Sequence, residues 1–368
     1  MSRWSTRTAP ERAEPTKEQW VAPERKVEFR PVRLVDVAEH AGVSLATASR
    51  VLNSERPYGG RALLRERVLA SAAELGYEPN PHARALASST STTIGLVVHD
   101  IRDAYFALIA GAVVSAAEEH GMFVTIVSTY RDPAQEVKYL KVLRAQRPRA
   151  IILAGSGFTN RTSHGPIQAE LARFEETGGV VVTLGRQDVG HTISVGNEDG
   201  AYQLAHALVD LGHRDFAVAT GPARLTTVRD RLAGFRRGLS ERGIELDASA
   251  VLNGDATRDS GFQMATAIAG RTTLPTCVFG SFDVVAAGLV AGFRDAGIDV
   301  PGTISVAGFG DIPVATDITP ALTSVSLPLE LVGRQAVDLA LSEEPNVRRT
   351  VSFAGEVVMR ESTAPPRA

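Results

Sequence analysis

The chain has 368 residues, of which 44% are hydrophobic and 22% charged, and its formal net charge at pH 7 is −3. This composition is typical of a soluble globular protein of two or three compact units, and it excludes the fibrous and disordered classes. No stretch approaches the ~18 consecutive apolar residues of a membrane span, and no apolar signal region stands near the amino terminus. The single cysteine, Cys277, predicts a core thiol in a reducing cytoplasm. We therefore expect a cytoplasmic protein without membrane contact.

Residues 1–31 carry mixed charges and four prolines without periodicity, which predicts a disordered extension. Residues 1–92 hold 14 Lys and Arg against 11 Asp and Glu, whereas the remainder of the chain is acidic. This asymmetry favours an amino-terminal unit that contacts nucleic acid, followed by an acidic body.

The stretch LVDVAEHAGVSLATASRVLN, Leu34 to Asn53, has the pattern of a helix-turn-helix. Its first apolar residues recur every three or four positions, which predicts one helix. Gly42 tolerates a positive φ, and Ser44 can cap a second helix that starts at Leu45. A third amphipathic stripe, closed by Gly76, completes a minimal three-helix core within residues 32–78. The apolar positions are Leu34, Val37, Ala38 and Ala41, then Ala48, Val51 and Leu52, then Leu64, Val68, Ala72 and Leu75.

The outer face of the second helix is short and polar and carries one arginine. An arginine fork matches the two major-groove acceptors of guanine, and small apolar side chains suit a thymine methyl group. This pattern predicts a helix that reads DNA, while the alternative is a helical hairpin at the edge of another domain. The outer-face residues are Leu45, Ala46, Ser49, Arg50 and Asn53.

The segments DVAEHAGVSLATASRVLN, ELGYEPN and ARALAS closely resemble the DNA-binding end of the lactose-repressor (LacI/GalR) family of bacterial transcription factors, and the resemblance continues along nearly all of the chain. It implies a head that binds double-stranded operator DNA. The residues implied to contact DNA are Leu34, Ser44, Leu45, Ala46, Thr47, Ser49, Arg50, Asn53, His82 and Leu86.

Residues 79–92 have the composition of a linker. Their central part, residues 82–87, is too short to be helical alone, since isolated helices below ~12 residues are marginal in water. In the family this segment is a hinge helix that orders on the operator, and Leu86 matches the leucine that enters the minor groove. The alternative is that Leu86 packs on the body.

From residue 93 the chain alternates apolar runs with helical stretches, which predicts β-α-β repeats and parallel sheets covered on both faces. The repeats exceed one sheet. We therefore expect an α/β fold in which the three-helix head precedes a two-lobed body of doubly wound parallel sheets, resembling periplasmic binding proteins. Lobe 1 is expected at about 93–191 and 326–350, and lobe 2 at about 192–325 and 351–362, within a body of 93–368. A ligand would lie between the lobes, at the carboxyl ends of the strands.

No motif indicates an enzyme. The runs GFGD and GG complete neither a dinucleotide nor a Walker fingerprint, and the eight histidines have no metal-ligand spacing. We expect no catalytic residue, no metal and no cofactor.

The effector site is implied by the resemblance. Arg231 stands where the family places an arginine that grips the effector, and His99, Asp100, Tyr105 and Phe106 match positions of the first lobe that line the cleft. An arginine fork suits oxygen ligands, and aromatic rings stack on a sugar or a base. The alternatives are a surface ion pair for Arg231 and core packing for the two aromatic residues.

Four departures from the family pattern weaken the assignment to a sugar. Phe282 stands where an amide is usual, Gly310 replaces a carboxylate, Ala256 replaces a common aromatic residue, and Leu327 occupies an often polar site. Each change removes a partner of a hydroxyl group or a stacking face. An unpaired buried hydroxyl costs about 1 to 3 kcal/mol. The effector is therefore expected to be sugar-like or less polar, and the body could instead respond to a protein or to nothing.

The resemblance implies a homodimeric regulator, expected to be a repressor, that reads a pseudo-palindrome and associates with the nucleoid. The alternative is a periplasmic-type solute-binding protein, which the head and the lack of an export signal oppose. A dinucleotide-binding enzyme lacks its phosphate fingerprint. The segment MRESTAPPRA excludes the heptads that tetrameric relatives add, so we expect a dimer formed through the helices at residues 104–119 and 133–147.

Overall fold

The structure is a computed structural model, and it describes residues 32–53, 62–78, 91–185, 188–342 and 347–367. The chain divides into two compact units, Met1–Asn80 and Pro81–Ala368. The expected disordered extension and the hinge residues His82 and Leu86 lie outside the described residues.

Within its described residues, the first unit, the head, contains three helices: α1 (Leu34–His40), α2 (Leu45–Asn53) and α3 (Ala62–Leu75). Apolar residues of all three helices form one small core, as the spacing predicts. Leu34, Leu52, Leu64 and Leu75 are partly buried at its margin. The fully buried members are Val37, Ala38, Ala41, Ala48, Val51, Val68 and Ala72.

The turn between α1 and α2 has the predicted chemistry. Gly42 adopts a φ of +61°, which a residue with a side chain rarely tolerates. The Ser44 hydroxyl accepts a hydrogen bond from the Thr47 backbone N–H at 3.2 Å and lies 2.8 Å from the Thr47 hydroxyl. This hydroxyl therefore satisfies one of the orphaned donors at the start of α2.

The first lobe of the body is built on a six-stranded sheet whose strands are all parallel. The strands in its centre are completely buried, as continuous apolar runs predict. The edge strands β2 and β11 are less buried, and Phe123 and Ile126 of β2 are exposed. The spatial order is β11-β5-β4-β3-β1-β2, with β1 (Thr93–Val98), β2 (Phe123–Ser128), β3 (Ala150–Ala154), β4 (Val180–Leu184), β5 (His191–Val195) and β11 (Thr350–Phe353).

Four helices belong to this lobe: α4 (Ala104–Glu119), α5 (Pro133–Gln146), α6 (Arg161–Glu176) and α12 (Leu329–Ala340). Side-chain oxygens of Asp103, Asp132 and Asn160 accept hydrogen bonds from backbone N–H groups of the first turns of α4, α5 and α6. The cap at Asn160 starts α6 at Arg161. The lobe therefore has the doubly wound α/β pattern that the sequence predicts.

The second lobe is built on a four-stranded parallel sheet in the order β7-β6-β8-β9. One of the helices that pack on this sheet, Arg258–Ala269, was not predicted from the sequence. The elements are α7 (Asn197–Asp210), β6 (Phe216–Thr220), α8 (Thr226–Ser240), β7 (Val251–Asn253), α9 (Arg258–Ala269), β8 (Cys277–Gly280), α10 (Asp283–Asp295), β9 (Ser305–Ala307) and α11 (Val314–Asp317). No helix of the described residues is long and apolar enough to cross a membrane.

The chain passes between the lobes three times, after β5, after β10 (Ser324–Ser326) and between β11 and β12 (Glu356–Val358). Strands β10 and β12 pair antiparallel, and the Gly196 N–H donates to the Phe353 carbonyl at 2.9 Å, so the crossings lie side by side. Residues 192–195 and 351–353, expected in the second lobe, pair with each other in the first sheet. Two crossings therefore occur a few residues later in the sequence than expected, because β5 and β11 continue in the first sheet to Val195 and Phe353 before the chain crosses.

Helices α9 and α10 pack with very close backbones. A methyl group on Gly288 would lie 2.0 Å from the Arg258 carbonyl oxygen, and one on Gly261 would lie 2.1 Å from the Val285 carbonyl oxygen. Real carbon and oxygen atoms cannot approach so closely, so each glycine is required by the opposite helix.

We predict that Gly288→Ala destabilises the body by about 1 to 3 kcal/mol, because overpacking forces the two helices apart. The matched control is Gly165→Ala in α6, where no atom lies within 4 Å of the added methyl group. The control is expected to be neutral or slightly stabilising, since alanine favours a helix interior. Chemical denaturation of both variants measures the difference, and equal stabilities would contradict the close packing.

Candidate functional sites on the second helix and in the cleft

The outer face of α2 is the candidate nucleic-acid interface of the head. Leu45, Ala46 and Arg50 are exposed, and Thr47 and Ser49 are half-buried. The Arg50 Nε donates to the Ala46 carbonyl at 3.3 Å. This helix therefore presents a short face with a single exposed arginine, as the sequence predicts.

Two of the residues expected to contact DNA also have structural roles. Leu34 is half-buried against the head core, and the Ser44 hydroxyl is part of the α2 cap. Asn53 is the last residue of α2, and its side chain lies outside the described part of the structure.

A cleft of about 780 Å³ lies between the two lobes of the body. Its first-lobe wall includes residues after β1 and β3, and its second-lobe wall includes residues of α8 and residues after β8 and β9. The cleft is thus at the carboxyl ends of parallel strands, where α/β sheets bind ligands. Five of the expected effector residues line it, namely His99, Tyr105, Phe106, Arg231 and Phe282.

Arg231 on α8 is almost completely buried in the cleft wall, with 2% of its surface exposed. Its Nε donates to the Asn197 side-chain oxygen at 2.8 Å, and its Nη1 donates to the Ser281 carbonyl. The guanidinium carbon lies 3.8 Å from the centroid of the Phe309 ring and 4.9 Å from that of the Phe282 ring. Burial lowers the pKa of Arg231 to about 10. These contacts exclude a surface ion pair and fix the guanidinium at the cleft.

The first-lobe wall combines aromatic rings with an ion pair. The Tyr105 and Phe106 rings meet edge to face with centroids 5.1 Å apart. Arg131 binds the Asp103 carboxylate at 3.1 Å, and both side chains are largely buried. Arg131 has a φ of +59°, in the left-handed region that costs energy for a residue with a side chain. The wall is therefore apolar around Phe106 and charged at the ion pair.

Three expected effector residues do not line the cleft. Asp100 instead binds Arg102 at 2.7 Å. Ala256 is buried beside Gly221, and its Cβ would lie 3.2 Å from a methyl group added to Gly221. Gly310 has a φ of +129°, and a side chain there would lie 3.3 Å from an Asp283 carboxylate oxygen. In this structure local pairing or close packing surrounds each of these positions, and none of the three borders the cavity.

The cleft also contains residues that the sequence reading missed. Asp283, at the start of α10, accepts hydrogen bonds from the Ser324 hydroxyl at 2.6 Å and from the Ile312 N–H at 2.9 Å. Burial raises the pKa of this carboxyl to about 6. An acidic residue directly after an apolar strand was a usable signal for Asp283, whereas nothing in the sequence distinguished Phe309 or Arg131 from core or surface residues.

Direct contacts also join the two lobes beside the cleft. The Thr226 N–H donates to the Gly157 carbonyl at 2.9 Å, and the Ser156 and Thr227 hydroxyls lie 2.8 Å apart. Phe158 and Leu225 form an antiparallel bridge, and both are almost completely buried. We call residues 156–159 and 224–227 the interlobe latch.

A buried acid and a buried base lie behind the first-lobe wall. The His99 Nε2 is 3.9 Å from the Glu136 Oε2, and neither atom has a hydrogen-bond partner among the described residues. Burial lowers the pKa of His99 to about 3 and raises the pKa of Glu136 to about 8. Both groups are therefore uncharged at neutral pH.

We predict that the unmodified protein loses stability as the pH rises from 6.5 to 8 and that Glu136→Gln removes this loss. In this window the folded protein holds the Glu136 proton while the unfolded chain does not, so the free energy of unfolding falls as pH rises, by up to about 1.4 kcal/mol per pH unit. Below pH 6.5 the neutral His99 contributes the opposite slope, because the unfolded histidine is protonated there. Chemical denaturation across pH 6 to 8.5 measures the slope.

The control for this prediction is Glu118→Gln, which changes an exposed glutamate of α4. It is expected to follow the unmodified protein across the pH range. A Glu136→Gln variant with an unchanged slope would show that Glu136 is ionised in the folded state.

Comparison with known proteins extends these observations. Residues 33–80 match the family described as bacterial regulatory proteins, lacI family, and residues 205–363 match the periplasmic binding protein-like domain. The chain is 32% identical over 339 residues to the HTH-type transcriptional regulator GalS of Salmonella typhimurium, covering 90% of this chain and 97% of GalS. GalR of Escherichia coli is also 32% identical, over 90% of this chain and 95% of its own length.

Solved structures of transcription regulators are also similar to this chain. The lac repressor dimer bound to operator and the anti-inducer ONPF has a TM-score of 0.77 and 28% identity, covering 91% of this chain and all of that one. The regulator CelR in complex with cellobiose has a TM-score of 0.65 and 28% identity, covering 90% of this chain. The match of residues 33–80 to a regulator family does not favour the alternative of a solute-binding protein. The relatives are transcription regulators and not enzymes. The chain belongs to the lacI family of bacterial regulatory proteins and is a DNA-binding transcription regulator with an effector-binding body.

Proposed function

We propose that the protein is a dimeric repressor that binds a pseudo-palindromic operator with two heads. Binding of a small molecule in the cleft lowers or raises its affinity for the operator. The observation that carries this proposal is the presence, in one chain, of the exposed α2 face and of a cleft walled by both lobes. In this proposal residues 32–78 form the DNA-binding domain, residues 79–92 the hinge, and residues 93–368 the two-lobed body. The protein acts in the cytoplasm, on the nucleoid when bound.

The effector acts, in this proposal, through the relative position of the lobes. A ligand shifts a conformational equilibrium only if it binds one arrangement better than the other. Arg231 lies on the second lobe and Phe106 on the first, so a ligand that contacts both favours one arrangement. The interlobe latch is the set of contacts that a rotation of the lobes would have to break. A small change in spacing would decide whether two short hinges, with Leu86 in each, fold on DNA.

Selection of bound fragments from genomic DNA by the purified protein tests the function itself. The proposal predicts recovery of a motif with two-fold symmetry, because two identical heads read two half-sites. Recovery of fragments without any common motif would contradict sequence-specific regulation.

We predict that Arg50→Ala lowers operator affinity by about 1 to 3 kcal/mol, because its guanidinium would read a base edge. Binding to random DNA is expected to stay unchanged, since it depends on phosphate contacts. Fluorescence anisotropy on both kinds of DNA measures the two affinities. Arg65→Ala, which changes an exposed arginine of α3, controls for loss of charge alone. Equal losses on operator and random DNA would assign Arg50 to a phosphate.

The dimer is proposed to form through the first lobe. Strand β2 lies at the edge of the six-stranded sheet, and its Phe123 side chain is 70% exposed. Leu108 and Val114 on α4, and Ile126 on β2, are exposed apolar residues of the same lobe. Helix α4 contacts β2, and exposed apolar side chains on neighbouring elements are a candidate association surface.

We predict that Phe123→Asp converts the dimer to a monomer at micromolar concentration, because a two-fold interface would contain the new charge twice. Light scattering measures the mass. The control Met359→Asp, at an exposed apolar residue that follows β12, is expected to leave the dimer intact. An unmodified protein of four chains would contradict the dimer, and a dimeric Phe123→Asp variant would place the interface elsewhere.

A further inference from the structure

The charged residues that line the cleft are mostly paired with one another. Arg131 binds Asp103 at 3.1 Å. Arg229 binds Asp230 at 2.7 Å, and Arg237 binds Glu198 at 2.8 Å. These arginines therefore have counter-charges within the protein and need none from a ligand.

Arg231 is different from the other cleft arginines. Within the described ranges no carboxylate oxygen lies within 4 Å of its guanidinium nitrogens, although the side chain is 98% buried. Its two protein acceptors, the Asn197 side-chain oxygen and the Ser281 carbonyl, are neutral. The remaining nitrogen, Nη2, donates to no residue that the structure describes. The protein thus holds a buried cation with a donor to spare.

The faces of the Arg231 guanidinium contact the Phe282 and Phe309 rings. The attraction of an aromatic face for a cation is smaller than the cost of burying an unpaired charge. The nearby Asp283 carboxyl accepts hydrogen bonds from the Ser324 hydroxyl and the Ile312 N–H, and it forms no ion pair with Arg231. The site would gain free energy from an anion at the open edge of the guanidinium.

The carboxylates that line the cleft already accept hydrogen bonds from protein groups: Asp103, Asp230, Glu198 and Asp199 from arginines, and Asp283 from Ser324 and Ile312. A sugar hydroxyl both donates and accepts, so a sugar needs free acceptors in the wall. The Ser156 and Thr227 hydroxyls are hydrogen-bonded to each other. Phe106 and Phe282 supply apolar surface on the two sides. A carboxylate group only accepts hydrogen bonds, and the edge of an arginine guanidinium matches its two oxygens.

We infer that the effector is a small organic acid whose carboxylate binds the free edge of Arg231, while its carbon skeleton packs between Phe106 and Phe282. This inference deepens the proposed function and rests on it. The carboxylate would neutralise the buried guanidinium from the second lobe, and the skeleton would contact the first lobe, so the ligand would favour one arrangement of the lobes.

Matched pairs of acids and neutral analogues test the inference with the unmodified full chain. The pairs are D-galacturonate with D-galactose, D-gluconate with D-glucose, and 4-hydroxybenzoate with 4-hydroxybenzyl alcohol. At least one acid is expected to raise the melting temperature and to bind in calorimetry at least tenfold more tightly than its neutral partner. Acids that bind no better than their neutral partners, or no binding by any acid, would overturn the inference. Stronger binding of D-glucose 6-phosphate than of every carboxylate would overturn the choice of a carboxylate.

Variants locate the acid that binds. Arg231→Gln removes the charge and is expected to weaken acid binding at least tenfold, while Arg231→Lys is expected to retain part of it. Arg236→Gln, at an exposed arginine of the same helix, is the matched control and is expected to bind the acid normally. Equal affinities of Arg231→Gln and Arg236→Gln would place the carboxylate elsewhere. If Arg231→Gln does not fold, the Arg231→Lys variant and the ligand pairs still decide the question.

Operator binding without ligand, measured on the same preparations, separates the two proposals. Failure to select any DNA motif would contradict the proposed function. Specific DNA binding together with equal responses to acids and neutral analogues would contradict only the inference of an organic acid.

Discussion

The body depends on three chain crossings that lie side by side at one place. They are tied by the antiparallel pair β10 and β12 and by the hydrogen bond from Gly196 to Phe353. Because each strand ends before its crossing, the carboxyl ends of strands from both sheets border one cavity. The interlobe latch then joins the lobes beside that cavity by backbone hydrogen bonds. A ligand in the cleft therefore contacts two bodies that are connected by few bonds, which is the condition for a binding event to move one lobe against the other.

Desolvation is the second constraint, and it determines the charges of the cleft. It favours the neutral forms of His99 and Glu136 at neutral pH, and it raises the pKa of Asp283 to about 6, which leaves that carboxyl mostly ionised at pH 7. Arg231 cannot lose its proton at that pH, since its pKa remains near 10. The cleft consequently contains a buried cation held by neutral acceptors and aromatic rings. The electrostatic preference of the site follows from this one group more than from the net charge of the chain.

The head holds α2 with a small core. Among the described residues, seven small or branched side chains are fully buried there, and α2 is held by packing of Ala48 and Val51 and by the Ser44 cap. The buried face is thus separate from the exposed face that carries Arg50. Substitutions on the exposed face are therefore expected to cost little stability.

Sequence alone determined the features that depend on local spacing. The three-helix head, the turn at Gly42 and the parallel α/β character of the body follow from helical and strand periodicities and from cap residues, which act over a few positions. The match of Arg231, Tyr105 and Phe106 to a cleft came from resemblance, and all three line it.

Only the tertiary structure decided which residues meet across the cleft. Asp100, Ala256 and Gly310 have the right places in the sequence, but a neighbouring arginine, close packing beside Gly221 and a left-handed backbone hold them away from the cavity. Phe309 and Asn197 reach Arg231 from separate segments, 78 and 34 positions away in the sequence. The charge state of the cleft likewise depends on burial, which is a property of the packed lobes and has no signature in local sequence.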